Sequence, residues 1–413
     1  MSRPSMTAVQ SPALLIGSFM STTQSESPIW TDSTLVKRAV AVGAAFSDRV
    51  LELASDIARI PAPTGDERAR AARVAGLFEG HGTGEVCIDD IHNVVARHPG
   101  SERSRSVLLA AHTDTVFVHG TDLTVRHEKG RWLGPGLGDN SLGVAAVVLL
   151  PRMLAEFGIQ PSTDLLLTGN VGEEGLGNLI GINRILDDYS DIGAMVAVEG
   201  QNLGRITHIA VGSVRLRVTV TGPGGHSWGD FGNPNAIHAA AQLVASLAAI
   251  PLTQTPKTTL SVGMISGGIS INSIAPVATF DVDMRSTDPG ALKRVVDRAH
   301  ATLYGRKFDQ IEVTHEVLGD RPAGQVAIGS RIVVSAAEIL RSLNCSPAAD
   351  ASSTDANAAI ARGIPAVCIG LTSGGNAHRL DEYIDIGPVK TGLAQLLLLT
   401  LAVSSDLASD LLP

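Results

Sequence analysis

Two hydrophobic periods alternate along the chain, and the change between them divides it. Residues 34–60 carry Leu35, Val36, Val40, Ala44, Leu51 and Leu53 at helical spacing, which predicts a helix. In "PAPTGDERARAARVAGLFEG" a Pro-Thr-Gly break precedes a second helix, from 66 to about 78, stopped by Gly80 and Gly82. "NVVARHPG" and "RSVLLAAH" predict neighbouring strands, the latter buried on both faces because its apolar run is unbroken. "SLGVAAVVLLPRMLAEFG" predicts a helix ended by Gly158, and strands follow over 164 to about 168 and over "AMVAVEG", ending at Glu199. Strands alternating with helices predict a mostly parallel sheet covered on both faces.

Near residue 207 the period changes. "VGSVRLRVTVTG" alternates, with Val214, Leu216, Val218 and Val220 on one face and Arg215 and Arg217 on the other, as a half-exposed strand does. A helix over 234–250, "TTLSVGMIS", "ATFDVDMRS", a helix over 289–304 and "QIEVTHEVL" complete a β-α-β-β-α-β order, a small α+β layer. "GDRPAG" reads as a return linker. The first pattern then resumes with a helix over 329–343, the strand "PAVCIGL" and a final helix over 388–403. The expected fold is α/β: a mostly parallel-sheet domain with helices on both faces, built from 33–207 and 323–413, with an α+β (βαββαβ) domain inserted at 208–322. Residues 1–32 read as a poorly ordered lead-in, although "ALLIGSFM" could pass for a weak signal-peptide core.

Composition narrows the function classes. The 413 residues suffice for two or three domains and a sizeable core. Aromatic residues make up only 3% while glycine is frequent, which suits β-α units with tight turns. A net charge of −9 argues against a nucleic-acid partner. No run of eighteen or more apolar residues occurs, so no membrane span is expected. Cys87, Cys345 and Cys368 are far apart and unpaired in spacing; they read as structural thiols of a cytoplasmic protein.

Charged groups interrupt the apolar pattern mostly just beyond strand ends: "HTD" at 112–114, "GDN" at 138–140, "GEEG" at 172–175, "VEG" at 198–200 and "NAHRLDE" at 376–382. In an open α/β sheet, ligand sites form outside the carboxyl ends of the strands. His112, Asp139, Glu173, Glu174, Glu199 and His378 are therefore expected at one edge. Imidazoles and carboxylates in one crevice point to metal, and the charge of three carboxylates is balanced best by two divalent ions with a hydroxide. Taken singly, each motif is also an ordinary turn or a satisfied histidine. "GPGLGDN" lacks the spacing of a phosphate-binding loop, and its glycines are read as the tight turn that aims Asp139.

Taken in order, "HTDTV", "GDNSLGVAA", "VGEEGLGN", "VEG", "GGHSW", "SINSIAP", "DMRS" and "NAHRLDEY" resemble the two-metal peptidase and amidohydrolase family of carboxypeptidase G, aminoacylase, peptidase T and succinyl-diaminopimelate desuccinylase. The resemblance runs from about residue 50 to 400. It implies that His112 and Glu199 bind one metal, Glu174 and His378 the other, and that Asp139 bridges both. It implies a cis bond between Asp139 and Asn140, a general base at Glu173, and Asp114 orienting His112 through its free ring nitrogen. His226 would reach across a dimer to help an oxyanion, and Asn272 and Arg285 would hold a substrate carboxylate. Asn140 departs from the Asp of many members and matches a subset related to peptidase T.

The function expected is metal-dependent hydrolysis of an amide C–N bond in a small carboxylate-bearing substrate, such as a short peptide or N-acyl amino acid. One alternative is a hydrolytic deaminase of a small aromatic amino-carboxylic acid on the same two-metal site. Another is a catalytically silent binding protein, a reading that the full set of ligands and Glu173 speaks against. The implied cofactors are two divalent ions per chain, Zn, Mn or Co. The implied assembly is a homodimer through the inserted domain, or a higher form built on it.

Overall fold

A computed structural model describes residues 29–412. The possible signal-peptide core lies outside them. Within the expected lead-in, Ile29–Thr31 forms a 3-10 turn and Asp32 caps the first helix, accepting from the backbone N–H groups of Thr34 at 2.8 Å and Leu35 at 3.2 Å.

The larger sheet has nine strands. Its middle is parallel, in the order Thr163–Asn170, Glu102–His112, Ile192–Glu199, Ala366–Gly370. Each of these is almost wholly buried over its apolar run, as strands covered on both faces must be. Ser33–Ala58, Leu142–Phe157, Arg331–Ser342 and Val389–Ala408 pack on one face in a common core. Ile180–Asp188 and Ala356–Ala361 pack on the other. Leu137–Phe157 and Val389–Ala408 are long and apolar enough to cross a bilayer, but 83% of each apolar window is buried inside the fold. Each fully buried Leu there contributes about 1.5–3 kcal/mol to burial rather than to a lipid contact.

Several expectations need correction. The strands at 94–98 and 102–112 are not neighbours: Thr163–Asn170 lies between them, antiparallel to Val94–His98. The connection crosses the start of that middle strand, with Ser101 N donating to Pro161 O and Glu102 N to Ser162 O. Arg205–Ala210 belongs to the larger sheet, where it pairs with Ala366–Gly370, Ala348–Ser352 and Gly324–Gln325. "GDRPAG" is no linker; its first residues finish the strand Glu312–Arg321 after a bulge between Val317 and Gly319.

The smaller sheet runs Thr258–Gly267, Val277–Ser286, Gly212–Thr221, Glu312–Arg321, all antiparallel. Helices Ala236–Ala248 and Pro289–Gly305 cover one face through Leu216, Val218, Leu243, Phe280 and Val295. The uncovered face carries the opposite residues of the same alternation. Arg217 lies across from Asp281 at 2.8 Å, Arg215 across from Asp283 at 3.0 Å, and Arg285 reaches Asp283 at 2.7 Å.

Candidate metal centre

The carboxyl ends of the parallel strands meet at one rim. His112 and Glu199 close two adjacent strands. Asp139 stands in the turn Leu137–Ser141 ahead of its helix, and Glu173 and Glu174 follow Thr163–Asn170. His378 lies on the loop after Ala366–Gly370, in a left-handed conformation at φ 65°. All of these line one cleft of about 400 Å³.

Nε2 of His112 is 3.2 Å from Asp139 Oδ1 and 3.6 Å from Glu199 Oε2. Nε2 of His378 is 3.2 Å from Asp139 Oδ2 and 3.1 Å from Glu174 Oε1. Two groups result, His112–Asp139–Glu199 and Asp139–Glu174–His378, and in each the three donor atoms lie within 4.8 Å of one another. Asp139 belongs to both and turns a different oxygen to each. Imidazole nitrogen and carboxylate oxygen are ligands for divalent cations. The buried Oε1 of Glu174 makes no hydrogen bond despite its close imidazole, as suits an oxygen kept for an ion.

A second set of residues holds these groups in place. The turn at Asp139 rests on Glu382, whose Oε1 accepts from Gly138 N at 2.7 Å and Asp139 N at 2.9 Å and whose Oε2 accepts from Gly136 N at 2.9 Å. Gly136 has φ 69°, and a Cβ on Gly138 would lie 2.6 Å from Gln201 Nε2, so both positions need glycine. The Asp139–Asn140 bond is cis. Asn140 uses both ends of its amide around Glu199: Nδ2 donates to Val198 O at 2.8 Å and Oδ1 accepts from Gly200 N at 3.0 Å. A carboxylate there would have no hydrogen to give Val198.

Asp114 does more than orient a ring. Nδ1 of His112 is 3.2 Å from its backbone oxygen and 3.5 Å from its carboxylate. The carboxylate accepts from Glu173 N at 3.0 Å, Glu174 N at 2.8 Å and the Thr64 hydroxyl at 2.8 Å. It therefore fixes the turn that presents both glutamates. Buried Arg70 ties the His112 loop to its neighbour, donating to Thr113 O at 2.8 Å and Ile60 O at 2.6 Å.

Arg321, which sequence reading treated as linker, is buried against Glu173. Its Nη1 is 3.3 Å from Glu173 Oε1 and 3.2 Å from the Ser353 hydroxyl, and its Nη2 donates to the Glu173 carbonyl. Asp355, paired with Asn170 Nδ2 at 2.7 Å, was also missed. Arg285 and Arg215 of the smaller sheet line the cleft, and Arg215 donates to Gly175 O. His226 and Asn272 do not join the centre within one chain. They stand side by side and exposed on a separate two-stranded ribbon, Gly225–His226 with Ser273–Ile274, where His226 pairs with Ser273 and Ser227 N donates to Asn272 O at 3.0 Å. Of the cysteines, Cys368 lines the cleft and Cys87 is exposed; all three are free thiols.

The same groups bind protons, and a cation competes with those protons for them. Burial opposes charge on His112, yet Glu199, Asp114 and Asp139 outweigh it and raise its pKa well above the usual value. Asp139 and Glu174 raise His378 to about 10. Burial raises Glu199 to about 7 and lifts Glu173 well above the carboxylate range. Asp139, between the two imidazoles, is held below it despite burial. His378 is thus charged at neutral pH, and an ion bound there displaces its proton. Metal affinity should therefore tighten as pH rises, by up to about one decade per unit for each proton released, and flatten near pH 10. Titrations at several pH values, with proton release read by calorimetry in buffers of different ionisation heat, check this. A pH-independent affinity would contradict it.

Residues 108–401 match the model of Peptidase family M20/M25/M40. A Mycobacterium tuberculosis protein carrying the provisional name succinyl-diaminopimelate desuccinylase DapE is 29% identical over 347 residues, 82% of this chain and 94% of its own. Carboxypeptidase G2 of Pseudomonas sp. is 25% identical, over 72% of this chain and 73% of its own. Among solved structures, a tripeptidase of Staphylococcus aureus superposes with a TM-score of 0.73 at 22% identity, covering 87% of this chain and 99% of that one. With most of its length matched and its imidazoles and carboxylates gathered in two cation-sized groups, the chain belongs to peptidase family M20/M25/M40 and is a metal-dependent hydrolase of C–N bonds.

Proposed function

We propose that the chain cleaves an amide bond in a small carboxylate-bearing substrate, a short peptide or an N-acyl amino acid, at a dinuclear centre of Zn, Mn or Co. The observation that carries this reading is Asp139, turning one oxygen to each imidazole-carboxylate group. His112 and Glu199 would hold one ion, Glu174 and His378 the other, with Asp139 between. When bound, such ions lower the pKa of water and polarise a carbonyl. Glu173 takes the proton from the attacking water and delivers it to the leaving nitrogen. Arg321 keeps that carboxylate in place, and Arg285, half exposed in the cleft, offers a planar fork to the substrate carboxylate. The names of the relatives agree with amides of this kind. A hydrolysis screen of the chain loaded with each metal tests the reading. N-acyl amino acids and short peptides should be cut, and the same compounds with their carboxylate amidated should be spared. No turnover with any metal would end it.

The segment 208–322 serves in this reading as lid and dimerisation domain. Around His226 and Asn272 the turns beside the two-stranded ribbon expose Trp228 at 87%, Phe231 at 89%, Ile269 and Ile271, an apolar patch of the sort a second copy covers. His226 would then complete the partner's centre. Mixing a His226→Ala chain with a Glu173→Gln chain should restore part of the activity that each lacks, because a mixed dimer holds one site with both groups intact. Absence of any restoration, in a mixture shown to exchange subunits, would overturn the crossed arrangement.

A further inference from the structure

The turn that carries Asp139 is tied on both sides, and the two ties lead to different metal-facing groups. Asn140 ties it to the strand Ile192–Glu199: Nδ2 donates to Val198 O and Oδ1 accepts from Gly200 N, the two chain neighbours of Glu199. His112 belongs to that side, since its strand pairs with Ile192–Glu199. Glu382 ties the same turn to the loop that carries His378, its carboxylate taking the N–H groups of Gly136, Gly138 and Asp139. Glu174 is held separately, through Asp114, and neither tie touches it.

The second tie matters because the His378 loop has few others. Residues 376–381 are exposed, and the His378 side chain is 53% exposed against 2% for His112. Asn376 Nδ2 and Arg379 Nε both donate to the Asp381 carboxylate, and Arg379 N donates to Asn376 O. Apart from the His378 ring, the hydrogen bonds and ion pairs of 376–381 stay inside 376–382 among the described residues. The flanks, Gly374–Gly375 and Tyr383–Asp385, pair with each other, and the latter pairs with Arg131–Leu133. Glu382 closes the loop and is wholly buried. Its backbone oxygen accepts from Gly134 N at 2.9 Å, so main chain and side chain both seat it against the segment 134–139. An exposed loop offers an ion a ligand at the entropic cost of ordering that loop, and a carboxylate that already fixes it lowers the cost.

We infer that each ion has its own positioning residue, Asn140 for the ion of His112 and Glu199, and Glu382 for the ion of Glu174 and His378. Cutting one tie leaves Asp139 registered to the other side. One group then keeps its spacing while the other loses it. The inference rests on the two-ion reading above.

The test measures Zn, Mn and Co binding to the full chain by competition with a chromophoric chelator, alongside metal content after dialysis. Glu382→Gln keeps the shape and one oxygen for Gly138 and Asp139, but its amide nitrogen meets the Gly136 N–H, donor against donor. It is expected to weaken one ion by about 10–100-fold and to leave the other within about twofold of wild type. In a His378→Ala background only the His112–Asp139–Glu199 group keeps its imidazole. There Glu382→Gln should change the remaining ion no further, whereas a general loosening of the fold would weaken it again. Asn140→Ala should do the reverse and weaken that remaining ion by about 10–100-fold. Glu382→Asp, one methylene short of the turn, should give the pattern of the glutamine variant and serves if that variant does not fold. Failure of both to fold would mark a carboxylate that the whole chain needs and overturn the inference. Equal weakening of both ions by Glu382→Gln, or none, would do the same. Fewer than two ions on the wild-type chain with every metal would sink the two-ion reading itself, and the inference with it.

Discussion

Glu173→Gln should retain the fold and the bound metal while losing about 10²–10⁴-fold in kcat, the contribution typical of a positioned general base. The choice of glutamine follows from the surroundings. Glu173 and Arg321 form a buried pair at 3.3 Å, with side-chain exposures of 9% and 6%. Truncation to alanine would leave the guanidinium buried without its partner, at a cost of about 3–5 kcal/mol, and confuse lost chemistry with lost folding. Glutamine keeps the shape and an oxygen for Arg321 but cannot accept a proton. Burial already presses Glu173 toward the neutral form, so its service as a base depends on the positive charge around it. Single-turnover rates, metal content and thermal melting, measured together, separate these effects. Wild-type kcat in the variant would remove Glu173 from the proton transfers.

Asp139→Ala should weaken both ions together, each by at least about 10²-fold, and take activity below detection. Asp139 Oδ1 faces His112 and Oδ2 faces His378, each at 3.2 Å. Removing the carboxylate deletes one oxygen from each group and the negative charge between two cations, so their mutual repulsion goes uncompensated. Removal of His378 strikes only one group. Metal stoichiometry after dialysis distinguishes the two cases: near zero for the Asp139 variant, about half of wild type for His378→Ala. Full occupancy in the Asp139 variant would show that the centre does not share this residue.

The parts of the fold that were legible are those where one physical demand dominates. "RSVLLAAH" and "AMVAVEG" are buried on both faces, so nothing polar interrupts them. "VRLRVTV" separates core from solvent with period two. Arg205–Ala210 and Ala348–Ser352 escaped because one of their faces lines the cleft. Thr207, Asp350 and Ser352 break an apolar pattern that would otherwise announce strands. Five of the six groups at the rim were legible because each ends a strand or follows a glycine turn, and His378, on a loop, was placed by its motif. Glu382 sits inside a motif already noted, yet its task is to receive three backbone N–H groups, and no spacing in the sequence signals that. Arg321 was hidden by the Gly and Pro around it, which mimic a connection between domains. The motif resemblance is borne out by the family match over residues 108–401, and the roles that spacing alone left open are what that resemblance implies.

Arg321 ends the last strand of the smaller sheet, while Glu173, which it grips, belongs to the larger. Glu173 is therefore tied to the smaller sheet by a buried ion pair at 3.3 Å. Any displacement of the smaller sheet against the larger would have to carry the Glu173 carboxylate with it or part that buried pair.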